Sequence, residues 1–241
     1  MSALIIIPAR MASTRLPGKP LADIAGLPMI VHVLQAAQAA EMGPVLVACA
    51  EKEIKHAVEQ AGGKAVLTDP SLPSGSDRVR QAADIYDPEK RFDIIVNVQG
   101  DMPTLDPALV RIIIQPLLED AALDIATAAV KTGDPREIAD PNVVKAVAAA
   151  SGRALYFTRA AAPSGEGDVL HHLGVYAYRR AALDKFCSLP PSPLEKRERL
   201  EQLRALEAGM SIHICLVDAA PHGVDTEEDL ERARVILSGK P

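Results

Sequence analysis

Ala3-Leu4-Ile5-Ile6-Ile7-Pro8-Ala9-Arg10-Met11-Ala12-Ser13-Thr14-Arg15-Leu16-Pro17-Gly18-Lys19 opens the chain with an apolar run and follows it with three cations, two prolines and several small residues. The run reads as a buried strand. Arg and Lys are rarely fully buried unless paired, so packing does not account for this charge at a strand end. Arg10, Arg15 and Lys19 on an irregular loop can converge on one polyanion, with Gly18 and the amides of Ala12 to Thr14 approaching closely. Pro28 to Ala40 then reads as a helix with Pro in its first turn. The loop therefore lies between a strand and a helix, where α/β proteins place ligands, and a triphosphate is the expected one.

Working outward, short apolar runs alternate with helical patterns. Strands are expected at Val45 to Ala50, Lys64 to Thr68 and Asp93 to Val98, and helices at Glu51 to Ala61, Ser76 to Tyr86 and Asp106 to Leu118. This alternation implies βαβ units: an α/β fold with a doubly wound, mostly parallel sheet. A strand at Asp124 to Val130 follows. The middle third changes character, with strands at Asn142 to Ala150, Arg153 to Thr158 and Leu170 to Tyr178 between Gly-containing turns, which suggests antiparallel strands added to the parallel core. Helices at Ala181 to Cys187 and Pro193 to Ala208, a strand at Ser211 to Val217 and a helix at Thr226 to Ser238 complete the chain. We expect one domain over 1–241, with an inserted segment at about 131–190.

Composition narrows the function. The 241 residues are 48% hydrophobic and 24% charged, the pattern of a globular protein, and a net charge of −6 argues against a nucleic acid polymer as partner. Aromatics make up only 3%, too few for a base-stacking platform. Cys49, Cys187 and Cys215 have no CxxC spacing and an odd count, which suggests neither a disulfide framework nor a zinc site and fits a reducing compartment. No stretch approaches the roughly 18 apolar residues of a membrane span, and Pro8 cuts the apolar start short of a secretion signal. A cytoplasmic protein is expected.

Four further constellations carry chemistry. In Val96-Asn97-Val98-Gln99-Gly100-Asp101-Met102-Pro103, Asp101 leaves an apolar strand on the same rim as the basic loop, where an acid beside phosphate is most simply a Mg²⁺ ligand. The other reading, a helix cap, has four residues between Asp101 and the helix. Asp225 precedes Thr226, which supplies the cap of the last helix together with Asp229, and pairs with Asp101 as an oxygen-rich metal site; compensation of the helix dipole fits Asp225 equally. Ser74-Gly75 with Arg78 can contact a base, ribose or phosphate, and a plain N-capped helix start fits as well. Finally, strand periodicity puts His172, Gly174, Tyr176 and Tyr178 on one face, with Arg159 alongside from a neighbouring strand, a surface suited to an acidic sugar. His171 and His172 point to opposite faces, which speaks against a shared metal. No G-x-S-x-G elbow supports a hydrolase. Gln99-Gly100-Asp101 stands where a glycosyltransferase would carry Asp-x-Asp.

The loop at 7–19, the segment 96–103, the run His172 to Tyr178, the stretch Ser192-Pro193-Leu194-Glu195 with Leu200-Glu201-Gln202-Leu203-Arg204, and Gly223 to Leu230 occur in the order of the sugar nucleotidyltransferases that use CTP. The chain closely resembles the 3-deoxy-manno-octulosonate (Kdo) cytidylyltransferases over essentially its whole length. The resemblance implies a GT-A-like nucleotidyltransferase fold whose antiparallel extension builds a homodimer, and Mg²⁺-dependent transfer of CMP from CTP to Kdo for lipopolysaccharide biosynthesis. Residue by residue it implies that Arg10, Arg15 and Lys19 bind the triphosphate and that Asp101 and Asp225 hold Mg²⁺. Ser74, Gly75 and Arg78 then contact the cytidine end, while Gln99, Arg159, His172, Tyr176, Glu201 and Gln202 line the sugar pocket. Arg15, Lys19, Asp101 and Asp225 form the catalytic set. Ala161 to Asp168 is shorter than in that family, which keeps a related acidic sugar, of the 8-amino-Kdo or sialic acid type, in view.

Overall fold

A computed structural model describes residues 3–13 and 15–239. Two compact units are present, one formed by residues 1–111 with 221–241 and the other by residues 112–220.

The first unit is built on four parallel strands in the order β6-β1-β4-β5: β1 (Ala3–Ala9), β4 (Val45–Cys49), β5 (Lys64–Leu67) and β6 (Ile94–Asn97). β1 pairs β4 from Ile5↔Val45 to Ala9↔Cys49, and β6 from Ala3↔Ile94 to Ile6↔Asn97. Every residue of β4 and β6 is buried, as is all of β1 except Pro8. Parallel strands covered on both faces read as unbroken apolar runs, which is why these three stand out in the sequence. β5 is the edge strand and exposes Lys64 and Leu67; an edge lysine discourages pairing with another chain. Helices α1 (Met29–Gln38), α2 (Lys52–Gln60) and α3 (Gly75–Tyr86) connect the strands, and α9 (Glu227–Ser238) returns to this unit at the end of the chain. A small hairpin of β2 (Asp23–Ile24) and β3 (Leu27–Pro28) precedes α1. Pro28 thus caps α1 from outside and is not in its first turn. The division between the units falls within α4 (Pro107–Glu119).

In the second unit β7 (Ile125–Thr132) runs parallel to β11 (Ile212–Val217) and antiparallel to β10 (Val169–Arg179). β8 (Lys145–Ala148) pairs antiparallel with β10 and with β9 (Ala154–Thr158), so the antiparallel strands expected in the middle third are present. A short helix, α5 (Pro135–Ala139), occupies a stretch that carries no clear sequence signal. α6 (Arg180–Ser188) continues directly from β10.

One helix is corrected. Pro193 to Ala208 is not continuous: α7 (Pro193–Glu198) and α8 (Gln202–Glu207) are separated at Arg199, whose φ is +56°. The break lets Arg204 fold back onto Glu195 with two hydrogen bonds, of 2.6 and 2.8 Å, and lie over the Phe186 ring. Nine residues apart on an unbroken helix, the two positions would be separated by about 13.5 Å along the axis. The paired ion and the burial of Leu200 outweigh helical continuity.

The fold class is the one read from the sequence, an α/β protein with a largely parallel sheet and antiparallel additions. Its site-bearing rim depends on a close crossing. After β6 the chain passes so near the end of β1 that a Cβ at Gly100 would lie 2.7 Å from the Pro8 carbonyl oxygen. Gly100→Ala is therefore expected to cost about 1–3 kcal/mol through overpacking against backbone that cannot give way, read as a lowered midpoint in chemical unfolding; an unchanged midpoint would show that the crossing tolerates a methyl group.

Candidate active site

Beyond β1 the basic loop is fixed at three points. Gly18, at φ +73°, turns the chain into a 3₁₀ turn at Lys19–Leu21. Leu16 is buried in a small cluster with Ile24, Met29, Val224 and Leu230. The Met11 amide donates to Glu51 Oε2 at 3.1 Å. Because Leu16 and Val224 share one apolar cluster, packing delivers Lys19 to the stretch that carries Asp225. Thr14, one of the expected amide donors, lies outside the described residues.

Lys19 Nζ then donates to Asp101 Oδ2 at 2.8 Å, to the Val224 carbonyl at 2.8 Å and to Asp225 Oδ1 at 3.2 Å. The lysine side chain is 14% exposed and that of Asp101 33%. Arg15 reaches Asp225 Oδ2 at 3.1 Å. This outer pair is more than half exposed on both sides, so it adds on the order of 1 kcal/mol at most. Asp225 owes its position to the start of α9: Thr226 and Asp229 form a reciprocal capping box, and Asp229 Oδ2 also accepts from the Asp225 amide at 3.1 Å. The Asp225 carboxylate is not needed as a cap and turns to the cations instead. A second strap, Val224 N–H to the Asp101 carbonyl at 2.9 Å, ties the two acidic segments together.

At the start of α3, Ser74 is the N-cap: its hydroxyl accepts from the Asp77 amide and donates to Asp77 Oδ2. Ser74, Gly75 and Arg78 also line a cavity of about 400 Å³. Its walls include Arg10, Arg15, Lys19, Gln99, Asp101 and Asp225. Arg78 is 3% exposed and donates to Thr68 Oγ1 and the Asp69 carbonyl. Burial draws its pKa below the ordinary arginine value, with Glu51 acting in the opposite sense. The nine residues expected at the nucleotide, metal and Gln99 positions thus surround one cavity in the first unit.

The remaining expected residues belong to the second unit. Arg159 is held by backbone oxygens: its Nε donates to the Glu198 carbonyl and its terminal nitrogens to the carbonyls of Pro141 and Arg199. Glu198, which the sequence did not single out, accepts from the Arg159 amide, Thr158 Oγ1 and the Tyr156 hydroxyl. His172 is buried, meets Phe157 edge-on at 4.9 Å and Tyr176 at 5.5 Å, and Tyr176 in turn meets Tyr178 at 5.7 Å. The ring ladder has the one-face order that strand periodicity predicts. Glu201 flanks α8 at its start, 3.8 Å from Arg204, and Gln202 is buried in the first turn.

Burial lowers the His172 pKa to about 3 and raises that of the Tyr176 phenol. Both groups are neutral near pH 7.

A parallel α/β sheet with a cationic loop and two acids facing one cavity fits a nucleotidyltransferase, and the family model described as cytidylyltransferase matches residues 4–212. The chain belongs to this family, within which it stands among the 3-deoxy-manno-octulosonate cytidylyltransferases. The relative from Parvibaculum lavamentivorans bearing that name is 62% identical over 98% of this chain and 92% of its own length. The one from Rhodospirillum centenum is 60% identical over 97% and 93%. A solved structure of CMP:2-keto-3-deoxy-manno-octonic acid synthetase complexed with CTP superposes with a TM-score of 0.94 at 39% identity, covering 100% of both chains.

The neutral His172 has a measurable consequence. Between pH 6.5 and about 3 the unfolded chain binds a proton at this ring and the folded chain does not, so stability falls as pH falls through this window. The loss is at most ~1.4 kcal/mol per pH unit. Unfolding free energies measured from pH 7 to pH 4 are expected to fall more steeply in the parent than in His172→Gln; parallel slopes would mean that His172 is protonated in the folded state.

Proposed function

We propose that the chain transfers CMP from CTP to the anomeric hydroxyl of Kdo, releasing pyrophosphate and activating the sugar for lipopolysaccharide biosynthesis. The observation that carries this reading is the meeting of Lys19, Asp101 and Asp225 at a cavity also walled by Arg10, Arg15 and Arg78. The names of the close relatives support the choice of CTP and Kdo.

In this reaction the anomeric oxygen bonds to the α-phosphorus as the bond from that phosphorus to the bridging oxygen breaks; the hydroxyl proton passes to solvent and pyrophosphate leaves. No side chain needs to form a covalent intermediate. The protein's share is positioning and neutralisation of growing charge. Lys19, Arg15 and Arg10 bind the triphosphate, and the first turn of α3 with Arg78 faces the cytidine end. For the sugar the resemblance supplies Gln99 in the first unit and Arg159, His172, Tyr176, Glu201 and Gln202 in the second. Asp101 and Asp225 supply hard carboxylate oxygens, a set that suits Mg²⁺, which takes one or two carboxylates and completes its shell with substrate phosphates and water. When bound, the ion adds Lewis-acid stabilisation of phosphate charge.

Pyrophosphate release is expected only when CTP, Kdo and Mg²⁺ are all present. Asp225→Asn is expected to lower kcat by about 100-fold or more while changing the KM for CTP little. Release without Kdo, or full activity in the variant, would overturn the scheme, and equal turnover of 8-amino-Kdo or a sialic acid would move the sugar assignment. Cytoplasmic location and a homodimer belong to the same proposal. Light scattering behind gel filtration is expected to give twice the chain mass of 25.6 kDa; a single chain mass at micromolar concentration would remove the dimer.

A further inference from the structure

We propose that Thr127 is a positioning residue that holds His172 as the Nε2–H tautomer, so that the ring presents Nδ1 as a hydrogen-bond acceptor to a hydroxyl of the sugar. The proposal deepens the reading above, in which His172 faces the sugar.

The geometry begins with an irregularity between β7 and β10. His172 pairs with Ala129 and Leu173 with Ala128, but the next pair is Tyr176↔Thr127, so β10 carries Gly174 and Val175 as two extra residues. Such a bulge disrupts the ladder locally and re-aims side chains. Thr127, wholly buried, sits at this point. Its Oγ1 lies 2.7 Å from the Val175 carbonyl oxygen, 3.2 Å from the Leu173 carbonyl oxygen and 2.9 Å from His172 Nε2.

A hydroxyl has one proton and two lone pairs. The carbonyl oxygens can only accept, and an oxygen 2.7 Å from a buried carbonyl must donate to it or suffer lone-pair repulsion. The single Thr127 proton is therefore committed to the bulge, and toward His172 the hydroxyl can only accept. The imidazole must carry its proton on Nε2. Burial keeps the ring neutral, with its pKa drawn down to about 3, so a single proton is shared out and Nδ1 is left with a lone pair. Phe157 and Tyr176 meet the ring at 4.9 and 5.5 Å between centroids and limit its rotation. Among the described residues, Nε2 is the ring nitrogen that has a hydrogen-bond partner.

The consequence for specificity is directional. A pocket wall that accepts at this point favours a ligand hydroxyl, which donates, and disfavours an ether or deoxy position, which leaves a buried acceptor unpaired.

The test combines a spectrum with kinetics. Histidine-selective ¹⁵N correlation spectra at pH 7.5, with His172 assigned by its absence in His172→Gln, are expected to show a protonated, pyrrole-type Nε2 and a pyridine-type Nδ1. Thr127→Val is expected to lose that pattern and to raise the KM for Kdo about tenfold with the KM for CTP unchanged. Thr127→Ser, which keeps the hydroxyl, is expected to restore both. A parent spectrum with the proton on Nδ1, or on both nitrogens, overturns the proposal without any variant having to fold. A Thr127→Val protein that keeps the parent spectrum and KM also overturns it. If His172→Gln leaves the KM for Kdo unchanged while the parent spectrum shows Nε2–H, it is the sugar-facing reading of His172 that fails, and the functional half of the proposal with it.

Discussion

A single ammonium group, Lys19 Nζ, binds at once to Asp101, Asp225 and the Val224 carbonyl, and three distant stretches of chain meet because of it. Charge-assisted hydrogen bonds of this kind are roughly twice as strong as neutral ones. They also gain from the partial removal of Lys19 from water. The apolar cluster of Leu16, Met29, Val224 and Leu230 lies behind the same contact and fixes its register, since neither the loop nor the start of α9 can shift without opening it. Electrostatics and packing therefore favour the same arrangement of the loop and the start of α9.

The arrangement also sets the charge a ligand meets. Arg10, Arg15, Lys19 and Arg78 stand against Asp101 and Asp225, four cations to two carboxylates, along the wall of one cavity. An exposed Arg15–Asp225 pair contributes little to stability, so little is lost when either partner turns to a new ligand. The inner contact costs more to disturb, because Lys19 would leave two acids and a carbonyl oxygen behind. A polyanion entering this cavity would find the outer cation cheaply available and the inner one pre-oriented, as charge neutralisation in the proposed transfer requires.

What could be read in advance follows from which physics is local. β1, β4 and β6 declare themselves because strands covered on both faces have no polar alternation. The basic loop does so because its charges have no reason to lie at the end of a buried strand. Thr226 with Asp229 is a local cap and was legible as one. Arg199 was not: its left-handed backbone accompanies a contact between Glu195 and Arg204, nine residues apart, which helical periodicity does not suggest. Backbone acceptors such as the Val224 carbonyl have no side-chain signature. Thr127 reads as an ordinary strand residue, and its role depends on a bulge in the partner strand. Glu198 lies in a charged run that looks like a solvated helix face, yet its carboxylate gathers Tyr156, Thr158 and the Arg159 amide.

At the start of α3 the residues that cap the helix also wall the cavity. Ser74 uses its hydroxyl twice within the helix cap, accepting from the Asp77 amide and donating to the Asp77 carboxylate. That oxygen has no proton left for a ligand. What the turn offers to the cavity is backbone: the Gly75 amide, in the first helical turn, has no intrahelical acceptor. The positive end of the helix dipole adds to it. A side chain at position 75 would approach Pro8, with a Cβ 3.7 Å from Pro8 Cγ, so glycine also keeps the cavity wall open at this point. In the proposed reaction this end of the cavity would thus meet its ligand with main chain, and Ser74 holds that main chain in place.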